Sequence, residues 1–308
     1  MKEKESFSEL YSRLYSENFA ELEAMRAKSK KTTVLVILII AVTFILASIN
    51  PIFFILLFVA IIIGTISSAK NKKVPVEMRG KSYPEVFKEK IVTPLIEYTF
   101  EGAKYMPKEG ISDFDYRRAE YKESYDRFYS EDKIIAPLRV KDEVVTSISF
   151  AEVHTEKESR DSDGDTTWVT VFYGLAGSFL IPKSTRKNIY IRANGRVSNW
   201  NKNKVKMDMS EFEKIFDVES DDKILTMRIL TSDVMAEMIG LYKKYKYRFE
   251  INILNDTVYM RLSTGPMFEP SIFKSSMEYK QIEKYYLVLK ALTSIAEHVY
   301  ETISDLEI

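Results

Sequence analysis

The chain has 308 residues, with 45 Lys plus Arg, 45 Asp plus Glu, and no cysteine. The length allows one large domain or two modest ones, and the neutral charge argues against a dedicated nucleic-acid binder, whose domain is usually basic throughout. The missing thiol excludes disulfides, thiolate metal sites and a cysteine nucleophile.

In chain order, residues 1–31 predict an amphipathic helix. Phe7, Leu10, Tyr11, Leu14, Tyr15, Phe19, Leu22 and Met25 recur at three- and four-residue steps. Three partners suit this stripe: the protein's own folded domain, a second copy in a short coiled coil, or a membrane surface.

From Thr32 to Ala69 no residue is charged. A charge-free apolar run of this length predicts membrane. Asn50-Pro51 divides it, because Asn can cap a helix and Pro suits the first helical position. The expectation is a transmembrane hairpin over residues 32–69, with spans at 32–49 and 51–69. Lys28, Lys30 and Lys31 precede it, and Lys70, Lys72 and Lys73 follow it. Under the positive-inside rule both termini are then cytoplasmic, in a multi-pass protein of the inner membrane with the lipid bilayer as its partner. Both spans lack ionisable residues, against a transporter or channel.

A linker over 70–82 leads to a soluble α+β domain at 83–308, with a division into two lobes near 208 left open. Helices are predicted at Tyr83–Phe100, kinked at Pro94, and at Ser112–Tyr121. Strands are predicted at Lys133–Val140, Val144–Glu156 and Thr166–Ile181, with a polar turn between the last two at Lys157–Asp165. A short strand at Ile189–Arg192, a helix or turn at Ser210–Phe216 and strands at Phe216–Glu219 and Leu225–Leu230 follow. A helix capped by Ser232 runs to Tyr245. Next come a hairpin, Tyr247–Leu254 with Thr257–Leu262, and a long closing helix, Tyr279–Ser304. Strands and helices are segregated, which favours antiparallel sheet over a doubly wound fold.

Dispersed segments carry a family resemblance. They are FSELYSRLYSENFAELE at Phe7–Glu23, YDRFYSED at Tyr125–Asp132, FAEVHTE at Phe150–Glu156, VFYGL at Val171–Leu175, FEKIFDVESDD at Phe212–Asp222 and FEPSIF at Phe268–Phe273. In this order, around an apolar hairpin, the chain resembles the bacterial family designated DUF3137, of unknown function. The resemblance implies architecture and membrane attachment, and supplies no activity, ligand, cofactor or catalytic residue.

Nucleotide-binding glycine loops, the G-x-S-x-G elbow and H-E-x-x-H are all absent from the sequence. Glu152, His154 and Glu156 alternate on a predicted strand and therefore share a face. Two carboxylates around an imidazole suit a metal or acid–base site, for which Asp126 and Asp132 are candidate distant ligands. A solvated strand face is the plainer alternative. Asp161 to Asp165 superficially suggests a calcium loop, without the twelfth-position Glu or flanking helices.

The clearest charge signal is a pair of blocks. Thr166 to Met207 contains no acid, and its bases are Lys183, Arg186, Lys187, Arg192, Arg196, Lys202, Lys204 and Lys206, with Trp200 among them. Asp208 to Asp222 carries seven acids against Lys214 alone. The blocks either neutralise one another, face anionic lipid headgroups, or meet nucleic acid or an acidic partner. The function expected is a membrane-anchored, cytoplasmic-facing binding or scaffold protein that recognises protein or anionic lipid and needs no cofactor. The alternative is a membrane-bound metal-dependent hydrolase using the Glu152/His154/Glu156 face.

Overall fold

The computed structural model describes residues 5–47, 80–160, 164–193 and 201–306. The chain divides into two compact units: Met1–Val92 with Glu269–Ile282, and Thr93–Phe268 with Glu283–Ile308.

The first unit is built on α1, Phe7–Ala47, one continuous helix of 41 residues. At its start Ser6 and Glu9 exchange side-chain-to-backbone hydrogen bonds, which satisfies two otherwise orphaned N–H groups. Leu10, Leu14 and Leu22 are buried. Beside them the Tyr11 hydroxyl donates to the Met277 carbonyl at 2.6 Å, and the Tyr279 ring packs edge-on against Phe7 and Tyr11. Glu23 accepts from the Ser276 N–H at 2.9 Å and its hydroxyl at 3.0 Å, and pairs with Arg26 at 2.6 Å. Arg26 in turn donates to the Ile272 carbonyl. The amphipathic stripe is thus covered in part inside its own unit, where Glu269–Ile282 supplies the contacts to Phe7, Tyr11, Glu23 and Arg26, while Tyr15 is exposed.

The expected transmembrane hairpin is corrected. Among the described residues no helix is long and apolar enough to cross a membrane. Thr32–Ala47 is the end of α1, and at about 1.5 Å per residue it covers roughly 24 Å, short of the ~30 Å hydrocarbon core. Any longer window within the helix takes in Lys31, and then Lys30 and Lys28. Asn50, Pro51, the expected second span at 51–69 and Lys70, Lys72 and Lys73 lie outside the described residues. The expected multi-pass inner-membrane location falls with the hairpin, and so does the element that made the bilayer a partner.

Helix α2, Tyr83–Phe87, begins with a capping box between Ser82 and Glu85. A π-helical turn, Lys88–Val92, follows it, and then α3, Thr93–Thr99. The predicted kink takes this form because Pro94 has no N–H for the carbonyl four residues back, and a widened turn precedes it.

The second unit holds a nine-stranded antiparallel sheet. Its strands are β1 Lys104–Met106, β2 Arg127–Val140, β3 Glu143–Arg160, β4 Thr166–Leu180, β5 Ile189–Ala193, β6 Lys204–Val205, β7 Phe216–Ser220, β8 Phe249–Leu254 and β9 Thr257–Leu262. The spatial order is β1-β2-β3-β4-β9-β8-β5-β7-β6. β8 and β9 form the predicted hairpin, with Asn255 in the left-handed region (φ 55°) that a tight two-residue turn requires. At Gly174 a Cβ would come within 2.0 Å of the Leu262 carbonyl oxygen, so only glycine lets the end of β9 lie this close to β4. The short helices are α4 Asp113–Arg117, α5 Ser210–Glu213, α6 Lys223–Ile229 and α7 Ser232–Tyr245. The long C-terminal helix α8, Tyr279–Asp305, buries Leu289, Leu292, Ile295, Ala296, Val299 and Ile303. The architecture is α+β with an antiparallel sheet, as expected.

Two local expectations change. Of the expected strand Leu225–Leu230, Leu225 to Ile229 is helical within α6 and Leu230 is its C-cap, because Asp222 accepts the Leu225 N–H at 2.9 Å and starts a helix. Lys157–Arg160 is not turn but the end of β3, paired through to Arg160 opposite Thr166. Asp161 to Asp163 of the calcium-loop pattern lie outside the described residues.

Arg261 on β9 is one of several buried charges in this unit. It pairs with Glu250, its register neighbour on β8, at 2.8 Å and with Glu123, and it donates to the Tyr116 hydroxyl. Burial alone would lower its pKa; Tyr116, Glu250 and Glu123 reverse the direction and raise it.

Candidate functional site

The sheet brings three segments singled out in the sequence side by side. YDRFYSED spans the start of β2, FAEVHTE lies on β3, and VFYGL lies on β4. Register aligns Tyr129, His154 and Tyr173 in one row across the three strands. The next row is Glu131, Glu152 and Leu175. Alternation puts both rows on one face, and a cleft of about 570 Å³ opens over them. Tyr129, Glu131, Glu152, His154 and Tyr173 line it, together with Phe128 and Ser130. Val153 and Phe172 alternate to the opposite face, where they pack in a hydrophobic cluster with Tyr116 and Ala176, joined by Tyr125 and Phe128.

His154 stacks on Tyr173, with ring centroids 4.3 Å apart and 16° between planes. The Tyr129 ring is 6.1 Å away on its other side. His154 Nε2 lies 3.0 Å from the Thr170 hydroxyl and 3.8 Å from Glu156 Oε1. Glu152 is buried, and its Oε2 accepts the Met267 and Phe268 N–H groups at 2.9 Å each. This carboxylate therefore fixes the chain that leaves β9.

The remaining candidate ligands do other things. Glu156 lies 3.8 Å from Arg127, whose guanidinium covers the Trp168 ring. Asp126 accepts the Glu158 N–H at 2.8 Å and donates its own N–H to the Glu156 carbonyl, extending the β2–β3 ladder. Asp132 is fully buried with φ 56°, at the bulge between Glu131 and Ile134, and accepts from the Tyr105 hydroxyl on β1. Among the described residues, Glu152, His154 and Glu156 are not gathered within common ligating distance of one ion. His298 sits on α8, 3.3 Å from Glu237.

The charge blocks meet each other. The sheet order β5-β7-β6 puts a strand of the acidic block between two strands of the basic block. Arg192 on β5 is fully buried and pairs with Glu219 on β7 at 3.1 Å, while Lys204 on β6 pairs with Asp217 on β7 at 2.6 Å. Burial pushes the Arg192 guanidinium down from its ordinary pKa, against the opposing pull of Glu219. The Glu219 carboxyl is raised by burial, but hydrogen bonds from Lys122 and Asn201 and the charge of Arg192 outweigh this and hold it below its ordinary value. Lys183 reaches the Ser304 and Leu306 carbonyls at 2.8 and 2.7 Å, capping the C-terminal end of α8. Arg186, Lys187, Lys202 and Lys206 are exposed. Arg196 and Trp200 lie outside the described residues.

Sequence reasoning placed Glu152 and His154 on one face but missed Tyr129, Glu131 and Tyr173. The first two were legible as alternating positions of YDRFYSED, had β2 been started at Arg127. Tyr173 needed the β3–β4 register.

Comparison with curated proteins gives no match. Among solved structures, the crystal structure of the mycobacterial trehalose monomycolate transport factor A, TtfA, is similar with a TM-score of 0.35 and 6% identity. That likeness covers 70% of this chain and 94% of the other, and at this distance no function is carried across. The family expected from the dispersed segments is found in the C-terminal part of the chain, where residues 170–300 match the family model described as "Protein of unknown function (DUF3137)".

Proposed function

We propose that the protein is a binding module and not a hydrolase, with the cleft over β2, β3 and β4 as its ligand seat. The observation that carries this reading is the use already made of the residues a hydrolase would need. Glu152 Oε2 accepts two backbone N–H groups, and the His154 ring is stacked on Tyr173. A general base must reach the proton it abstracts, whereas these groups form a wall. The cleft volume falls in the range of small-molecule sites. Recognition of a protein then takes place through a side chain that enters the cleft. The basic block contributes less to this reading, because Lys183, Arg192 and Lys204 all have partners within the fold.

The test is a titration of the full chain, followed by NMR of the His154 ring, with a panel of small cations, carboxylates and methyl glycosides. At least one should shift the resonances saturably, the shift should vanish in Tyr173→Leu, and the compound should be recovered unchanged. Turnover of a phosphate or carboxylate ester that is lost in His154→Ala would reverse the assignment to the hydrolase.

A further inference from the structure

We propose that a groove between α7 and α8 is a second binding site, which takes a small amphiphilic anion: an apolar body with one acidic head. The site is independent of the cleft over β2, β3 and β4, with which it shares no lining residue. Helical spacing builds it. Gly240, Leu241 and Lys244 lie three and four residues apart on α7, as Leu287, Lys290 and Ala291 do on α8. Each set therefore shares one helix face. The groove between the faces has a volume of about 430 Å³, within the range of small-molecule sites.

The first argument is room. Gly240 sits inside α7, where glycine costs stability relative to alanine. A Cβ on it would meet nothing within 4 Å, and its φ is not in the left-handed region. Neither backbone conformation nor close packing requires glycine here, but an open groove gains from it. Leu241, Leu287 and Ala291 make the surroundings apolar.

The second argument is charge. Lys244 and Lys290 are exposed at the groove, with ammonium groups 5.4 Å from the Tyr245 ring centre and 5.7 Å from that of Tyr286. Among the described residues neither makes an ion pair or a hydrogen bond, although Glu297 feels the charge of Lys290. Lys122, Lys204 and Lys243, by contrast, each hold a carboxylate. Glu237 is the acid of the lining, and it is already engaged. It accepts from the Ser294 hydroxyl at 2.7 Å and lies 3.3 Å from His298. Lys244 stands two helical turns further along α7, roughly 10 Å away. Acid and cation therefore mark different ends of the groove.

The third argument is a polar atom at the cationic end. Tyr245 lines the groove, and its hydroxyl is shielded from solvent with no hydrogen-bond partner among the described residues. Such a group is costly to leave unsatisfied. An acid entering beside Lys244 supplies the acceptor. Tyr245 also stacks on Tyr247 at 5.5 Å, and Lys284 stands 5.0 Å from the Tyr247 ring, adding a third cation at this end.

The test is calorimetry and methyl NMR of the full chain with octanoate, octan-1-ol and octylammonium. Octanoate should bind saturably, shift the Leu241, Leu287 and Ala291 methyl signals, and exceed octan-1-ol by about five-fold. Added salt should erase that margin, because exposed charges are screened. Gly240→Leu fills the groove with a better helix former. It should keep or raise the melting temperature and abolish octanoate binding. Lys244→Gln combined with Lys290→Gln should reduce octanoate to the level of octan-1-ol. Equal binding of octan-1-ol to the native chain, or preference for octylammonium, overturns the anionic head. Octanoate binding unchanged in Gly240→Leu overturns the location. Silence from all three probes overturns the site and leaves the β2–β4 cleft untouched. An acidic amphipathic peptide that binds where octanoate does not, or self-association of the chain, either one lost in Gly240→Leu, would overturn the small-molecule occupant in favour of a protein.

Discussion

On the β9–β8–β5–β7–β6 side of the sheet, Arg261 lies between Glu250 and Glu123, Arg192 meets Glu219, and Lys204 meets Asp217. On the β1–β4 side, Glu131 and Glu152 line a cleft beside two tyrosines and a histidine, and no base lines it with them. One sheet therefore handles charge in two ways. In the first region charges are drawn into the fold and matched, which fixes strand order and position. In the second they line a concave face, where Glu152 also anchors the Met267 and Phe268 N–H groups. The contrast shows why a run of bases in sequence is a poor guide to a binding surface: the most charged stretch of this chain sits largely in the region that matches its charges internally.

The sharpest way to break the comparison is Arg261→Met. It leaves Glu250 and Glu123 buried beside each other without their cation, and should cost about 3–5 kcal/mol of stability in urea unfolding. A loss below about 1 kcal/mol would mean that the charges there are not interdependent.

Glu152→Ala comes next. It removes the acceptor of two buried N–H groups, and about 2–3 kcal/mol is expected. Hydrogen exchange at Met267 and Phe268 should accelerate well beyond exchange elsewhere in the sheet. Uniform acceleration would show a general loss of stability, with no local anchor.

Acidification separates the regions more gently. Because Glu219 has a folded pKa below its ordinary value, its contribution is complete above the unfolded carboxylate value of about 4.3 and is lost as pH falls through the folded one. The stability of Glu219→Gln should lie below that of the native protein at neutral pH and converge with it in acid. A constant difference across the range would remove the linkage.

The smallest effect is expected from Lys202→Gln combined with Lys206→Gln. These bases are exposed, and the pair should change stability by no more than about 0.5 kcal/mol. A larger loss would place the two lysines in the matched network.

Much of the fold was legible in the residues. The alternating runs gave β3, β4, β8 and β9, the three- and four-residue steps gave α8, and Ser112 marked a real helix start. Failures came where the deciding contact was distant or the local signal was overruled. Leu225 to Leu230 has strand-like residues, yet the carboxylate of Asp222 starts a helix ahead of them. The apolar residues after Thr32 were read as a span from hydropathy, lysine flanks and Asn50-Pro51, whereas their described part, to Ala47, is the end of a helix that begins at Phe7. At the site, alternation brought Glu152 and His154 to one face, but the aromatic row exists only through register with β2 and β4. The use of Glu152 depends on residues Met267 and Phe268, far along the chain.

The strand order has a kinetic consequence. β2, β3 and β4 form a meander of local hairpins, and β8 and β9 are joined by a two-residue turn. Pairs of this kind close in microseconds. The seam between the blocks is β4 with β9, whose partners are as distant in sequence as Leu175 and Leu262. Closing so long a loop loses chain entropy before any contact returns it. Docking of the two preformed blocks along this seam is therefore the expected slow step of folding. Substitutions at Ala176 and Phe179 on the seam should change the unfolding rate far more than the rate at which the meander first forms.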